Sequence, residues 1–106
     1  MKREIEDDSE RIKRYGLVMA KKIKLRMDGL KAANSLADFL PSYSGPERCH
    51  ELTGNFAGTF SMDVKHPYRL LFWAVNLPDD IDIEDEKKRW QAIKEVEIQT
   101  IEDTHG

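Results

Sequence analysis

Residues 48–75 read RCHELTGNFAGTFSMDVKHPYRLLFWAV, and their reading decides the fold. Thr59 to Lys65 alternates: Phe60, Met62 and Val64 face one way, and Thr59, Ser61, Asp63 and Lys65 the other. A period of two is the mark of a strand with one wet face. Tyr68 to Val75 is apolar on both sides, with Leu70, Phe72 and Ala74 on one and Leu71, Trp73 and Val75 on the other. That pattern predicts a central strand buried on both faces, with Phe72 and Trp73 in the core. His66-Pro67 joins the two runs, since proline gives no donor to a ladder. The economical reading is an antiparallel hairpin. Gly54-Asn55 and Gly58 bracket a turn before it, and Arg48 to Leu52 is either a helical turn or a short strand.

Outward from the hairpin the pattern changes period. Gly16, Ala20, Ile23, Met27, Leu30 and Ala33 recur three and four apart, which predicts one helix from Leu17 to Ala33. Ser9 is placed to cap a shorter helix over Glu10 to Tyr15, ended or bent by Gly16. Ser35 opens S-L-A-D and a helical turn over Leu36 to Leu40, closed by Pro41. On the other side, residues 76–89 are polar and acidic and read as a solvated excursion, with 79–89 an acidic insertion loop. Trp90 packs its end back on the body. Lys94 to Glu102 alternates again, with Val96, Ile98 and Thr100 on one face, and predicts a strand antiparallel to the 68–75 strand. The expectation is a single α+β domain over residues 1–106: two N-terminal helices packed on a small antiparallel sheet of three to four strands.

A chain of 106 residues with 40% hydrophobic and 35% charged residues is long enough to bury a core unaided. One cysteine, Cys49, rules out an intrachain disulfide, suits a cytoplasmic setting, and reads as a buried small residue rather than a nucleophile. No apolar run approaches a membrane span. The net charge of −3 divides unevenly: +4 over residues 1–27, −1 over 28–75 and −6 over 76–106. The whole is not the basic object expected of an unspecific nucleic-acid binder.

Chemistry rests with a few residues. The three histidines are His50 before the glycine turn, His66 at the hairpin connection, and His105 beyond the last strand. If the last strand runs antiparallel to the second, its end lies near Arg69, so that Asp103, His105, Arg69 and Lys65 share one sheet edge. Histidine exchanges protons near neutral pH, and Arg and Lys hold a phosphate. Together these are the means for metal-independent RNA cleavage. There is no HxH or HxxH spacing for a metal and no Gly-rich phosphate loop followed by Lys-Ser/Thr. No cofactor is expected.

The run HELTGNFAGTFSMDVKHPYRLLF at 50–72, the ending IKEVEIQTIEDTH at 93–105, and KRYGLVMAKKI at 13–23 with LKAANSLADF at 30–39 resemble toxins of the RelE/ParE superfamily, above all HigB-like plasmid maintenance killer proteins. The resemblance covers about residues 10–105. It implies a RelE-like fold, from which this chain lacks a counterpart of the usual first edge strand. It implies a toxin of a type II toxin–antitoxin system: a ribosome-dependent endoribonuclease that cuts mRNA and is neutralised by a cognate helix-turn-helix antitoxin, with DNA reached only through that partner. By position, His50, Arg69, Asp103 and His105 match the catalytic residues of those relatives, and Lys65 and His66 match a basic pair that binds RNA phosphate. Thr53 stands where those relatives commonly carry lysine, and Thr104 where they carry tyrosine. The other reading is a non-catalytic module that binds an antitoxin or another target, as ParE-type relatives bind gyrase.

Overall fold

The computed structural model describes residues 3–77, 80–82 and 84–103. Three helices open the chain: α1 (Arg3–Glu6), α2 (Asp8–Tyr15) and α3 (Leu17–Ala32). The cap of α2 is Asp7 and not Ser9. Its carboxylate accepts a hydrogen bond from the Glu10 backbone N–H, so the helix starts before the expected serine. Gly16, at φ +83°, joins α2 to α3 in a conformation that costs glycine nothing. The stripe read from the sequence is the buried face of α3, with Ala20, Ile23 and Met27 inside and Met19 added to them. Ser35 accepts a hydrogen bond from the Ala37 N–H and starts a 3-10 turn over Leu36–Phe39.

The sheet has four antiparallel strands in sequence order: β1 (His50–Glu51), β2 (Thr59–Lys65), β3 (Tyr68–Val75) and β4 (Glu95–Asp103). Arg48 to Leu52 thus resolves to a short strand, added to the edge of the hairpin. The β2–β3 register is Thr59 opposite Trp73, Phe60 opposite Phe72, and Asp63 opposite Arg69. One face of the sheet carries Phe60, Met62, Val64, Leu70 and Phe72, all buried with Ile23 and Met27 of α3. Phe60 stacks on Phe72 at 5.8 Å and meets Trp90 edge-on at 5.3 Å. These three rings are the centre of the core.

The structure corrects four expectations. First, β3 is buried on one face only: Trp73 is 48% exposed, because no helix covers its side of the sheet. Second, the register of β4 slips between Ile98 and Thr100, so that Thr100 stands opposite Leu71 and Ile101 takes the core position opposite Leu70. A bulge adds one residue and breaks simple alternation, which is why Thr100 leaves the face of Val96 and Ile98. Third, the acidic segment 79–89 is not wholly a loop. Asp85 caps α4 (Glu86–Ala92) by accepting from the Lys88 N–H. This helix carries Trp90 into the core and buries Arg89 beside it. Fourth, Arg89 is buried although its segment was expected to be solvated; Arg11, bonded to Asp8 and to the Ile5 carbonyl, is buried as well.

Among the described residues no helix is long and apolar enough to cross a membrane.

Candidate functional site

The sheet face turned away from the helices collects the candidate chemistry, with Trp73 exposed at one end and His50 and Ser61 buried at the other. His50, Ser61, Leu71 and Thr100 lie in one row across the four strands, and Asp63, Arg69 and Glu102 in the next row on that face. A rise of about 3.3 Å per residue and a strand spacing of about 4.8 Å set the His50 and Arg69 backbones roughly 12 Å apart. Their long side chains can therefore serve one extended ligand without touching each other.

His50 is held closely. It is 7% exposed, and its ring stacks on Tyr43 with centroids 4.1 Å apart and planes 15° from parallel. Its Nδ1 lies 3.0 Å from the Arg48 carbonyl oxygen. A carbonyl only accepts, so Nδ1 carries the proton and Nε2 holds the lone pair of the neutral ring. Arg48 (φ +45°) and Tyr43 (φ +66°) both sit in the left-handed region, unusual for residues other than glycine. The strand pairing on one side and the Tyr43 N–H to Cys49 carbonyl bond of 3.0 Å on the other hold them there.

The cations are tied to one carboxylate. Asp63 meets Arg69 at 3.3 Å through one oxygen and Arg48 at 3.6 Å through the other. The Arg48 guanidinium also lies 5.5 Å from the centre of the Tyr43 ring. Backbone bonds fix Asp63: its N–H donates to the Glu47 carbonyl at 2.7 Å, and its carbonyl accepts from Arg26 Nε at 2.7 Å. All three side chains are partly exposed, so the ion pairs are screened and contribute little to stability. Their effect is to orient the two arginines.

Beside this cluster lies an aromatic shelf. Trp73 and Phe56, the latter 64% exposed, flank a groove floored by Leu71, Gly58 and Gln99.

The position of β1, and so of His50, depends on the opposite face. The Glu51 carboxylate accepts from Arg89 Nε at 2.9 Å, from Arg89 Nη2 at 2.8 Å, and from the Gly58 N–H at 2.8 Å. A two-residue strand is too short to hold its register unaided; this three-bonded carboxylate pins it to α4 and to the turn. The Glu51 bond raises the Arg89 pKa above its ordinary value, so the guanidinium stays charged despite burial. Cys49, next in the chain, is fully buried, and burial, with Glu47 nearby, pushes its thiol up to about 12. It is therefore a thiol and not a thiolate at neutral pH, which agrees with its reading as a core residue.

The structure divides the residues expected at one edge. His50 and Arg69 share the open face. Lys65 and His66 line a different cleft, with Arg14, Tyr15, Met19 and Tyr68, on the helical side. The cause is a register shift between Asp63 and Lys65, which sets Lys65 opposite Tyr68. Asp103 also stands opposite Tyr68, next to that cleft in register. Thr104 and His105 lie outside the described residues. Tyr43, Arg48 and Asp63 belong to the cluster and were not singled out from the sequence. No sequence signal joins a Pro-Ser-Gly loop to a strand twenty residues on.

Comparison with protein-family models, with curated proteins and with solved structures found no match to this chain.

Proposed function

We propose that this chain is the toxin of a toxin–antitoxin pair, a RelE- and HigB-like protein that cuts mRNA on the ribosome without a metal. The observation that supports this reading is that His50, with Nε2 as the lone-pair nitrogen of its neutral ring, lies on the same sheet face as the oriented pair Arg48 and Arg69. In this mechanism His50 takes the proton from a ribose 2′-OH. The 2′-oxygen bonds to phosphorus, the bond to the 5′-oxygen breaks, and a proton supplied to that oxygen completes the leaving group. His105 would give that proton, with Asp103 orienting it. Arg69 and Arg48 would hold the phosphate as charge develops on it. Lys65 and His66 would take a neighbouring phosphate along the helical-side cleft. Trp73 and Phe56 offer ring faces on which bases stack, worth roughly 1–3 kcal/mol per base in single-strand binders. Partners under this reading are the ribosome, its mRNA and a helix-turn-helix antitoxin, and the setting is the cytoplasm.

A second reading has one observation in its favour. Asp63 lies between Arg48 and Arg69, and Glu102 stands opposite Arg69 in the sheet. These carboxylates offset the charge that a phosphate would meet, which suits a toxin-like module that binds an antitoxin or another protein target and cuts nothing.

Controlled expression with mapping of mRNA ends separates the two. Cuts phased to the ribosome that vanish in Arg69→Ala and His50→Ala support the enzyme. Intact mRNA with growth arrest supports the binding module.

A further inference from the structure

Among the larger clefts of the described residues, one holds cations and no carboxylate. It lies between the α2–α3 junction and the turn joining β2 to β3. Arg14 and Tyr15 enter it from the end of α2, and Lys65, His66 and Tyr68 from the hairpin. Other clefts mix their charges: Lys31 and Lys94 share a groove with Glu6 and Glu97, Arg26 with Glu47, and Lys21 with Asp8. Asp103 stands beside the cationic cleft in register without lining it. A chain of net charge −3 does not produce such a cleft by composition alone. Two of its cations are also uncommitted. Arg11, Arg26, Arg48, Arg69 and Arg89 each meet a carboxylate or a carbonyl. Among the described residues neither Arg14 nor Lys65 has a carboxylate partner; Arg14 meets the Tyr15 ring, 5.9 Å from its guanidinium carbon.

We propose that this cleft binds a nucleoside phosphate, with the phosphate between Arg14 and Lys65 and the base against Tyr15 and Tyr68. Arginine and lysine give a phosphate charge-assisted hydrogen bonds, the strongest kind open to an exposed anion. A bare inorganic anion would use the cations and leave both rings idle. A base has a flat face, and Tyr68, 40% exposed, has a ring to meet it. The cleft holds about 660 Å³, within the roughly 300–1,000 Å³ of small-ligand sites. Arg14 is the new member of the site. The site extends the phosphate role given above to Lys65 and His66 and rests on that reading, but it requires no cleavage at His50. A phosphate ester carrying a base comes from a free nucleotide or from a nucleotide within an RNA strand, and the two are separable by experiment.

The test titrates the whole chain with adenosine 5′-monophosphate, adenosine, inorganic phosphate, and a 2′-O-methyl hexanucleotide that 2′-OH attack cannot cut. Amide chemical shifts in NMR spectra locate the binding. The monophosphate should saturate the chain and move the signals of Tyr15, Lys65 and Tyr68. Adenosine and inorganic phosphate should each bind at least about tenfold more weakly, since each lacks one of the two contacts. Arg14→Gln and Lys65→Gln, both at exposed positions, should each weaken the monophosphate about tenfold with the unfolding midpoint unchanged. Tyr68→Leu should weaken the monophosphate and leave inorganic phosphate as it was. Saturation at the same signals by the hexanucleotide as well would make an RNA strand the source of the ligand, and saturation by the monophosphate without it would make the source a free nucleotide. Equal affinity for adenosine, unchanged affinity in both glutamine variants, or shifts confined to His50 and Arg69 would overturn the site. None of these ligands is cut. A chain that cleaves mRNA yet fails here therefore overturns this site alone, and one that binds here yet leaves mRNA intact overturns only the cleavage.

Discussion

The two faces of this sheet are made from alternate residues of the same strands, yet they are different materials. The helical face holds Phe60, Phe72 and Trp90 at ring contact, with Leu70 and Met62 beside them, and every one is sealed from water. The other face, one residue along each strand, holds a buried His50 beside partly exposed Asp63, Arg69 and Trp73. Burial on one side supplies the stability that lets the other side carry groups of little structural worth. Arg48 and Tyr43 can stay in left-handed backbone only because the neighbouring ladder fixes them. The comparison predicts that adjacent positions on one strand respond differently to the same truncation.

The sharpest contrast is on β3. Phe72→Ala should cost about 3–5 kcal/mol, because it empties a site that the surrounding rings cannot refill. Trp73→Ala, its neighbour in sequence, should cost no more than about 1.5 kcal/mol, since half of its surface is already wet. Urea unfolding of both variants checks this, and equal losses would break the distinction between the faces. Next in size is the pin that sets β1. Arg89→Ala leaves the Glu51 carboxylate half-buried and without its fork, for a loss of about 2–3 kcal/mol. The double variant Glu51→Leu/Arg89→Leu should recover much of that stability while loosening His50, seen as broadened His50 ring signals in NMR spectra.

Another effect, absent at neutral pH, is confined to alkaline pH. The Cys49 thiol titrates at about 12 when folded, well above an unfolded cysteine. A pKa raised in the folded state contributes stability that is complete below the unfolded value and lost as pH rises towards the folded one. Stability should therefore fall by up to about 1.4 kcal/mol per pH unit between roughly pH 9 and 12 from this group. Cys49→Ala should flatten that part of the curve. Native Cys49 should also resist alkylation at pH 8 and react once the chain is unfolded, as mass spectrometry would report. The smallest change in stability belongs to the open face. Asp63→Asn breaks two partly exposed ion pairs and should cost under about 1 kcal/mol. The same change frees Arg48 and Arg69, so affinity for single-stranded RNA should rise and its salt dependence steepen.

Much of the helical face was legible in the chain. The three- and four-residue spacing of Ala20, Ile23 and Met27 and the alternation of Phe60, Met62 and Val64 each describe one buried side of one element. The open face was read less well, and for identifiable reasons. Trp73 looked like core because an apolar residue on a strand says nothing about whether a second layer exists to cover it. The displacement of Thr100 by Ile101 comes from a bulge, which depends on how β3 pairs and leaves no mark in β4 alone. Lys65 and Arg69 were expected together, but the register shift after Asp63 turns Lys65 towards the helices. The Glu51–Arg89 pair joins residues far apart in sequence, and Arg89 was hidden in a segment whose charge suggested solvent. His50 and Arg69 were singled out from the sequence; the groups packed and paired against them, Tyr43, Arg48 and Asp63, needed the fold.

Under the proposed function, RNA is cut at His50, Arg48 and Arg69, on the sheet face turned away from the helices. Mapping mRNA 5′ ends in cells expressing the wild-type chain, Arg69→Ala, and Lys24→Ala as a control on an exposed helical surface tests it directly. The account predicts new ends phased to translating ribosomes in the wild type and in Lys24→Ala, and none in Arg69→Ala at equal protein level. Intact mRNA in all three, from chains that unfold cooperatively and are therefore folded, would contradict it.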